Sequence, residues 1–501
     1  MTVAASSTSY ELCIVGAGIA GLNAAFVAGR HLDPGARVLL LDRHDQPGGM
    51  WNDAYSYVRL HQPYSFFTAG NIPWNLAADR AYLARGDEVQ AHLRDCLQHI
   101  SQHLDVDARW GWEYLSRVEE PTGVTIRARD REGQEHTFTA GRMVLASGFD
   151  VSVEPPLTLS STRVRSTAPH LLASAGPLAS DDDAPAWVIG SGKTAMDTVQ
   201  ALVAAGSSRD VVLVAGSGTY FFDRDTLYPT GIRRWWGGTP ASVMYAQAVR
   251  RFDGTNSAEV ARWARGRYTT SPVHEPTHNV GAMLSGAEAG VVRSRVSRVL
   301  RDHLADVEDT RDGPVMALRS GARVPVPEGS WIVNCTGFLG PREVTHEPYV
   351  SSGGRVLSIN LTSTTTGVSG TAGYFLTHLL FLGKLSTVPL YALNWHELRR
   401  RAPEAVPWVR GSLLTYNLGL ISDHLPPSAY RDYGLDTDRW FPRYRRMLRR
   451  MRSTGDREQA RRHCRRSLDE FARTTGVPCA PVETVDASPV RPRAPAEEPT
   501  R

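Results

Sequence analysis

Gly16-Ala17-Gly18-Ile19-Ala20-Gly21 decides how this chain is read. The apolar run Tyr10-Glu11-Leu12-Cys13-Ile14-Val15 precedes it, Leu22-Asn23-Ala24-Ala25-Phe26-Val27 follows it, and Arg37-Val38-Leu39-Leu40-Leu41-Asp42 comes next. Strand, glycine turn, helix and strand make a βαβ unit. Within it Gly16 permits the tight turn, Gly18 lets the backbone approach a pyrophosphate, and Gly21 allows close packing of helix on strand. The helix N-terminus offers unpaired N–H groups and the positive end of its dipole to phosphates. Asp42 closes the second strand about 20 residues beyond the loop, where an acid takes ribose hydroxyls.

A second unit of the same design begins at Trp187–Ile189. It continues through Gly190-Ser191-Gly192-Lys193-Thr194-Ala195, a helix to about Ala205, and the strand Val211–Val214. The run Gly-Ser-Gly-Lys-Thr is not a mononucleotide P-loop, because Trp187 stands where that motif requires its first glycine. Between the two units, residues 87–104 carry the period of an amphipathic helix. Three alternating segments (112–118, 124–128 and 136–139) predict a meander, and Met143–Ala146 predicts a separate buried strand. The Pro-, Ser- and Asp-rich stretch 153–183 reads as a connection between lobes. A less regular insertion, 216–290, holds Trp235, Trp236, His274 and His278. Trp331–Cys335 returns as a strand. The most apolar window, 373–393, is interrupted by His378, Lys384 and Pro389. It predicts a buried helix and turn, since a membrane span needs roughly 20 predominantly apolar residues. An arginine-dense helix near 444–466 predicts a solvated face.

Length and composition bound the rest. A chain of 501 residues exceeds one compact core, so two or more lobes are expected. Apolar content of 42% and charged content of 22% are those of a globular protein. A net charge of +4 is too small an excess to argue for nucleic acid. Lys193 and Lys384 are the only lysines. The five cysteines, Cys13, Cys96, Cys335, Cys464 and Cys479, form no C-x-x-C pair and have no metal-ligand spacing. This suits a reducing cytoplasm and argues against a dithiol mechanism. His274 and His278 have helical spacing, but Pro276 lies between them, so no metal site is expected. The N-terminal residues lack a basic segment followed by a long apolar one. Neither a leader nor a membrane partner is therefore expected.

Gly48-Gly49-Met50-Trp51, just after Asp42, brings in a resemblance. With the two glycine loops, the chain resembles the class B flavin monooxygenases, the group of flavin-containing monooxygenases, Baeyer–Villiger enzymes and N-hydroxylases. There a Gly-Gly-x-Trp segment follows the acid that holds the FAD ribose. Ala146-Ser147-Gly148-Phe149 with Pro155-Pro156, and Asn334-Cys335-Thr336-Gly337-Phe338, resemble the two hinge segments where the chain leaves and re-enters the FAD lobe. Val58-Arg59-Leu60-His61-Gln62-Pro63-Tyr64-Ser65 resembles the stretch that places an amide near flavin C4a. Two departures stand beside these matches. The group's Phe-x-Gly-x-x-x-His segment is missing; Val164–His170 is its nearest counterpart. The strand after the second loop ends Ala215-Gly216-Ser217 without an arginine for a 2′-phosphate, leaving Lys193, Arg224, Arg233 or Arg234 to supply the cation.

The resemblance and the two units together predict an α/β fold of two Rossmann-like, three-layer dinucleotide-binding domains with the NAD(P) domain inserted in the FAD domain. Residues 10–150 and 330–470 would form the FAD domain and 151–329 the NAD(P)H domain. Flexible tails are expected at 1–9 and 471–501. By resemblance FAD is held by Gly16, Gly18, Gly21, Asp42, Gly49, Trp51, Gly148 and Gly337. NADPH, with NADH the alternative, is held by Gly190, Gly192, Lys193 and Thr194. The implied reaction is reduction of FAD by NAD(P)H, addition of O2 at C4a, and transfer of one oxygen atom from the hydroperoxyflavin to a nitrogen or sulfur of a small molecule. Gln62 is the one candidate catalytic side chain. A reductase or oxidase that transfers no oxygen, and a non-catalytic redox sensor, remain the alternatives. The apolar helix beginning near Gly370 is expected to turn its N-terminus toward the flavin pyrimidine edge, with Tyr374 nearby.

Overall fold

The structure is a computed structural model that describes residues 9–148, 153–206, 208–336, 345–447 and 457–481. Its first sheet has a parallel centre. Asp105–Trp110, Arg37–Asp42, Ser9–Val15 and Glu135–Leu145 lie side by side in that order, with Val356–Ser358 parallel to the last. Leu12, Ile14, Val38, Leu40 and Val144 point to one face, against the helices Ile19–Ala28 and Ser369–Phe381. Cys13, Val15, Leu39, Leu41 and Leu145 point to the other, against Val124, Ile126 and Phe138. Burial on both faces is why these strands read as continuous apolar runs rather than alternating ones.

The meander is present, with one correction. Glu113–Glu120 and Gly123–Arg129 are antiparallel, but the expected third segment and the expected buried strand are one element, Glu135–Leu145. Its first half completes the meander beside Gly123–Arg129. Its second half pairs with Ser9–Val15 and Val356–Ser358. Polar residues such as Arg142 made one strand look like two.

The second sheet repeats the plan. Arg298–Leu300, Val211–Val214, Ala186–Ile189, Trp331–Asn334 and Arg165–Thr167 are all parallel. Helices Lys193–Ala204 and Gly286–Arg295 share the core on one face. The antiparallel strands Leu304–Thr310, Gly313–Leu318 and Arg323–Pro325 cover the other. The first sheet thus draws its strands from residues 9–145 and 356–358, and the second from 165–334.

Registers fix the site. Val15 pairs with Leu41 and Leu145, so Gly16, Asp42 and Ala146 emerge together at one carboxyl edge. Ile189 pairs with Val214 and Asn334, so Gly190, Ala215 and Cys335 emerge together at the other. Ligands in open α/β sheets sit outside such edges.

The insertion is more regular than its sequence suggests. Thr219–Asp223 and His278–Leu284 pair in parallel, and helices Ala241–Val249 and Ser257–Ala264 follow between them. Val249, Phe252, Val260 and Ala264 share a core with Trp408, Leu413, Leu468 and Phe471. The expected tail from residue 471 is corrected as well. The helix Arg457–Thr475 runs past that point, and Cys479–Pro481 pairs with Tyr391–Leu393. Cys464, Leu468 and Phe471 give this Arg-rich helix a buried seam that its charge obscured. The apolar window is a helix, Ser369–Phe381, followed by the short strand Tyr391–Leu393. Among the described residues no helix is long and apolar enough to cross a membrane.

Candidate functional site

Both carboxyl edges open onto one cleft of about 1870 Å3, lined by Gly16, Gly18, Gly49, Gly190, Gly192 and Lys193 among others. The first loop is a backbone cradle. Gly16 has φ +100°, and a Cβ there would lie 2.4 Å from the Ala146 carbonyl oxygen. A Cβ on Gly21 would lie 1.8 Å from the Gly16 oxygen, and one on Gly49, at φ +55°, 2.9 Å from Gly18 Cα. A side chain at any of the three would push the turn out of shape. Gly18 caps the helix Ile19–Ala28 without any side-chain hydrogen bond, so its first-turn N–H groups are left to the cleft. This donor set fits a pyrophosphate.

Asp42 is 4% exposed. Its Oδ2 accepts from Ala17 N–H at 2.5 Å, and its Oδ1 accepts from His44 N–H at 2.8 Å and meets His44 Nδ1 at 3.0 Å. Three donors leave a carboxylate about one lone-pair direction, here on Oδ2. His44 Nε2 continues to Asp53 at 2.9 Å. Trp51 lines the cleft, its ring edge-on to Phe67 with centroids 5.5 Å apart. Gly148 lines it too, at φ +71°. Gly337, expected to hold FAD, lies outside the described residues, as do Phe149 and Phe338.

In the second loop Gly190 has φ +122°, and its Cβ would meet the Cys335 oxygen at 2.5 Å. Gly192 is open to the cleft and caps Lys193–Ala204, again without a side-chain bond. Ala195 is fully buried, as close helix packing requires. Thr194 is buried within the first turn. Lys193, expected to hold phosphate, forms an ion pair with Asp197 one turn along. Burial raises the Asp197 carboxyl above its ordinary value, against the opposing pull of Lys193 and a hydrogen bond from Tyr55.

Arg224, Arg233 and Arg234 do not stand at the strand end 215–217. Arg224 is ion-paired with Glu288 and donates to the His61 carbonyl at 3.3 Å. Arg233 and Arg234 belong to the short helix Arg233–Trp236, where Trp235 and Trp236 are 48% and 78% exposed and Arg234 donates to the Trp440 carbonyl. The basic side chains at the strand end are ones the sequence did not single out. Arg301 donates to the Ser217 carbonyl at 3.1 Å, and His303 and Arg319 line the cleft beside Gly216 and Ser217.

The two lobes meet through residues 55–62. Tyr55 OH donates to Asp197 at 2.8 Å, and Tyr57 OH lies 2.8 Å from Thr198 Oγ1. His61 Nδ1 accepts from the Met283 N–H at 3.0 Å, which fixes the proton of the neutral ring on Nε2. Burial, reinforced by Lys193, Arg224 and Arg410, holds its pKa down to about 3. His61 is thus a fixed hydrogen-bond donor in the cleft wall. Gln62 follows it in the lining and spends one amide hydrogen on the Phe66 carbonyl at 3.3 Å, leaving the other. The residues Ser369, Gly370 and Thr371, at the N-terminus of the apolar helix, line the cleft, whereas Tyr374 is buried and donates to the Ala429 carbonyl at 2.8 Å. The helix end faces the cleft and Tyr374 does not. His170 is exposed and stands outside the lining. His278 belongs to a strand and contacts Thr277, and the described residues contain no cluster suited to a metal.

Residues 10–226 match the family model of the pyridine nucleotide-disulphide oxidoreductases. The matched span contains both glycine loops. Uncharacterized proteins of Mycobacterium tuberculosis and Mycobacterium bovis are each 25% identical over 366 residues, which is 68% of this chain and 62% of theirs. The chain therefore matches less than two thirds of the length of those relatives. Among solved structures, a steroid monooxygenase bound to NADP is 14% identical, with a TM-score of 0.47 over 89% of this chain and 98% of that one. A flavin-containing monooxygenase from Stenotrophomonas maltophilia is 14% identical, with a TM-score of 0.40 over 66% and 78%. A bacillithiol disulfide reductase from Staphylococcus aureus is 12% identical, with a TM-score of 0.38 over 68% and 83%.

Proposed function

We propose that this chain is an FAD-dependent, NAD(P)H-consuming oxidoreductase of the class B flavin monooxygenase kind. One oxygen atom of O2 goes to a nitrogen or sulfur nucleophile of a small molecule. The observation that carries the reading is the pair of backbone cradles, at Gly16–Gly21 and Gly190–Lys193, opening from two parallel sheets onto a single cleft. Gly16, Gly18, Gly21, Asp42, Gly49, Trp51 and Gly148 hold FAD, and Gly190, Gly192 and Thr194 hold the nicotinamide nucleotide. Lys193 acts through its pair with Asp197 rather than as a free phosphate ligand. Arg319 and His303 favour NADPH over NADH.

Bound flavin supplies the electron transfer and oxygen chemistry that no side chain offers. The residues around it do the rest. Uncapped helix ends neutralise phosphate charge. His61 and Gln62 present N–H donors from a wall shared by both lobes, where developing negative charge would be stabilised. The five cysteines give no support to thiol–disulfide exchange: all are buried, and burial lifts the thiol of Cys335, the one lining the cleft, to about 12. The thiolate is the nucleophile in such exchange.

The test is rapid mixing of the reduced protein with oxygenated buffer. Oxygen transfer predicts a transient absorbance distinct from both oxidised and reduced flavin, shortened by a nucleophilic substrate. Direct return of the oxidised spectrum with release of hydrogen peroxide would instead assign an oxidase.

A further inference from the structure

Arg410 lies on the helix Val406–His424, four and eight residues before Leu414 and Leu418, and all three line the cleft. Its side chain threads between two glycines. A Cβ on Gly367, at φ +61°, would come within 2.8 Å of its Cγ, and one on Gly281, at φ +74°, within 2.9 Å of its Nη1. Any other residue at either position would crowd the guanidinium. The local sequence makes room for this one cation.

Three cations act on His61: Lys193, Arg224 and Arg410. Two are neutralised, Lys193 by Asp197 and Arg224 by Glu288. Among the described residues no carboxylate pairs with Arg410, and its Nε is buried without an acceptor. A partly buried guanidinium with no counter-charge is costly to keep, and an anion in the cleft would offset that cost. The same region offers the neutral N–H donor of His61, while Leu414 and Leu418 supply apolar surface along the helix face that carries Arg410.

We infer that the cleft takes a substrate bearing a carboxylate attached to an apolar body, with Arg410 as the carboxylate's ion partner. A planar guanidinium matches a carboxylate in a two-point hydrogen-bonded fork. The reacting nitrogen or sulfur then lies at a fixed distance from the anchored acid, so Arg410 determines which acids react. This inference rests on the reading of the cleft as an oxidoreductase site.

Isothermal calorimetry on the protein as purified tests it with hexanoate and hexanamide, which share an apolar body and differ in charge. Wild type is expected to bind hexanoate at least about tenfold more tightly than hexanamide, a difference of the size a charge-assisted pair supplies. Arg410→Gln should abolish that preference, Arg410→Lys should retain part of it, and in both FAD content and NADPH affinity should stay within about twofold of wild type. Equal binding of acid and amide by wild type overturns the inference. So does an Arg410→Gln protein that keeps its acid preference, or one that loses FAD or NADPH, since Arg410 would then serve a nucleotide. If the purified protein carries no flavin, the oxidoreductase reading fails on that ground, and the acid–amide comparison still decides the role of Arg410.

Discussion

Gly16 and Gly148 both line the cleft with positive φ, yet they carry different weights. Alanine at Gly16 meets the Ala146 carbonyl at 2.4 Å, whereas at Gly148 no described residue lies within 4 Å of the new methyl. Gly148→Ala should cost about 1 kcal/mol of backbone strain and weaken flavin binding without abolishing it, because the new methyl enters the cleft that Gly148 lines. Gly16→Ala should yield protein without flavin. Flavin absorbance per mole of purified protein measures both. Arg319 carries a second expectation. A charge-assisted bond is worth about 1.5–3 kcal/mol, so Arg319→Ala should raise KM for NADPH roughly tenfold or more and leave KM for NADH nearly unchanged. Steady-state kinetics with the two nucleotides separate these outcomes. At this scale the glycines were legible, because backbone geometry near a phosphate is a local property. Arg319, His61 and Arg410 were not. His61 gains its role from the Met283 N–H, 222 positions away, and a sequence carries no mark of that pairing.

Helices Ile19–Ala28 and Ser369–Phe381 pack so closely that a Cβ on Gly373 would lie 2.2 Å from the Ala20 carbonyl oxygen. Their contact holds the first glycine loop against the core. Gly373→Ala must push the helices apart, at a cost near the upper end of the overpacking range, about 3 kcal/mol. It should also loosen flavin, because the displaced helix carries the phosphate-facing N–H groups. Leu379→Ala, in the same helix and fully buried, should lose about 2–5 kcal/mol with flavin affinity kept. Denaturant midpoints compared with flavin dissociation distinguish the two variants. Elements with a simple period were readable: Ser9–Val15, Arg37–Asp42 and both post-glycine helices stand where the pattern puts them. Those whose burial comes from distant partners were not. Glu135–Leu145 changes partners along its length, and Arg457–Thr475 hides a four-residue seam, Cys464, Ser467, Leu468 and Phe471, among arginines.

Across the described residues, buried neutral histidines set the response to acid, three of them most strongly. His61 and His92 are held down to about 3 and His378 to about 4, from an ordinary value of 6.5. Burial is the largest cause in each; cations add to it at His61, and His31 and Arg30 at His378. Each folded pKa lies below the unfolded one, so the unfolded chain binds more protons between the two values. Stability is therefore intact above 6.5 and falls with pH below it, by up to about 1.4 kcal/mol per histidine per pH unit. Denaturant midpoints should drop between about pH 7 and about pH 5, and His378→Gln should reduce that slope. A flat profile would contradict the assignment. The repeated βαβ design was visible in the sequence because each unit is local. That the two cradles face one cleft was not, since it depends on Tyr55, Tyr57 and His61 reaching the helix Lys193–Ala204 and the strand His278–Leu284.

The most direct measurement is anaerobic mixing of the purified protein with NADPH while the flavin's visible absorbance is followed. Two cradles on one cleft predict a protein isolated with FAD whose absorbance is bleached by NADPH and restored by oxygen. A protein without flavin, or one whose flavin NADPH leaves oxidised, would contradict the account.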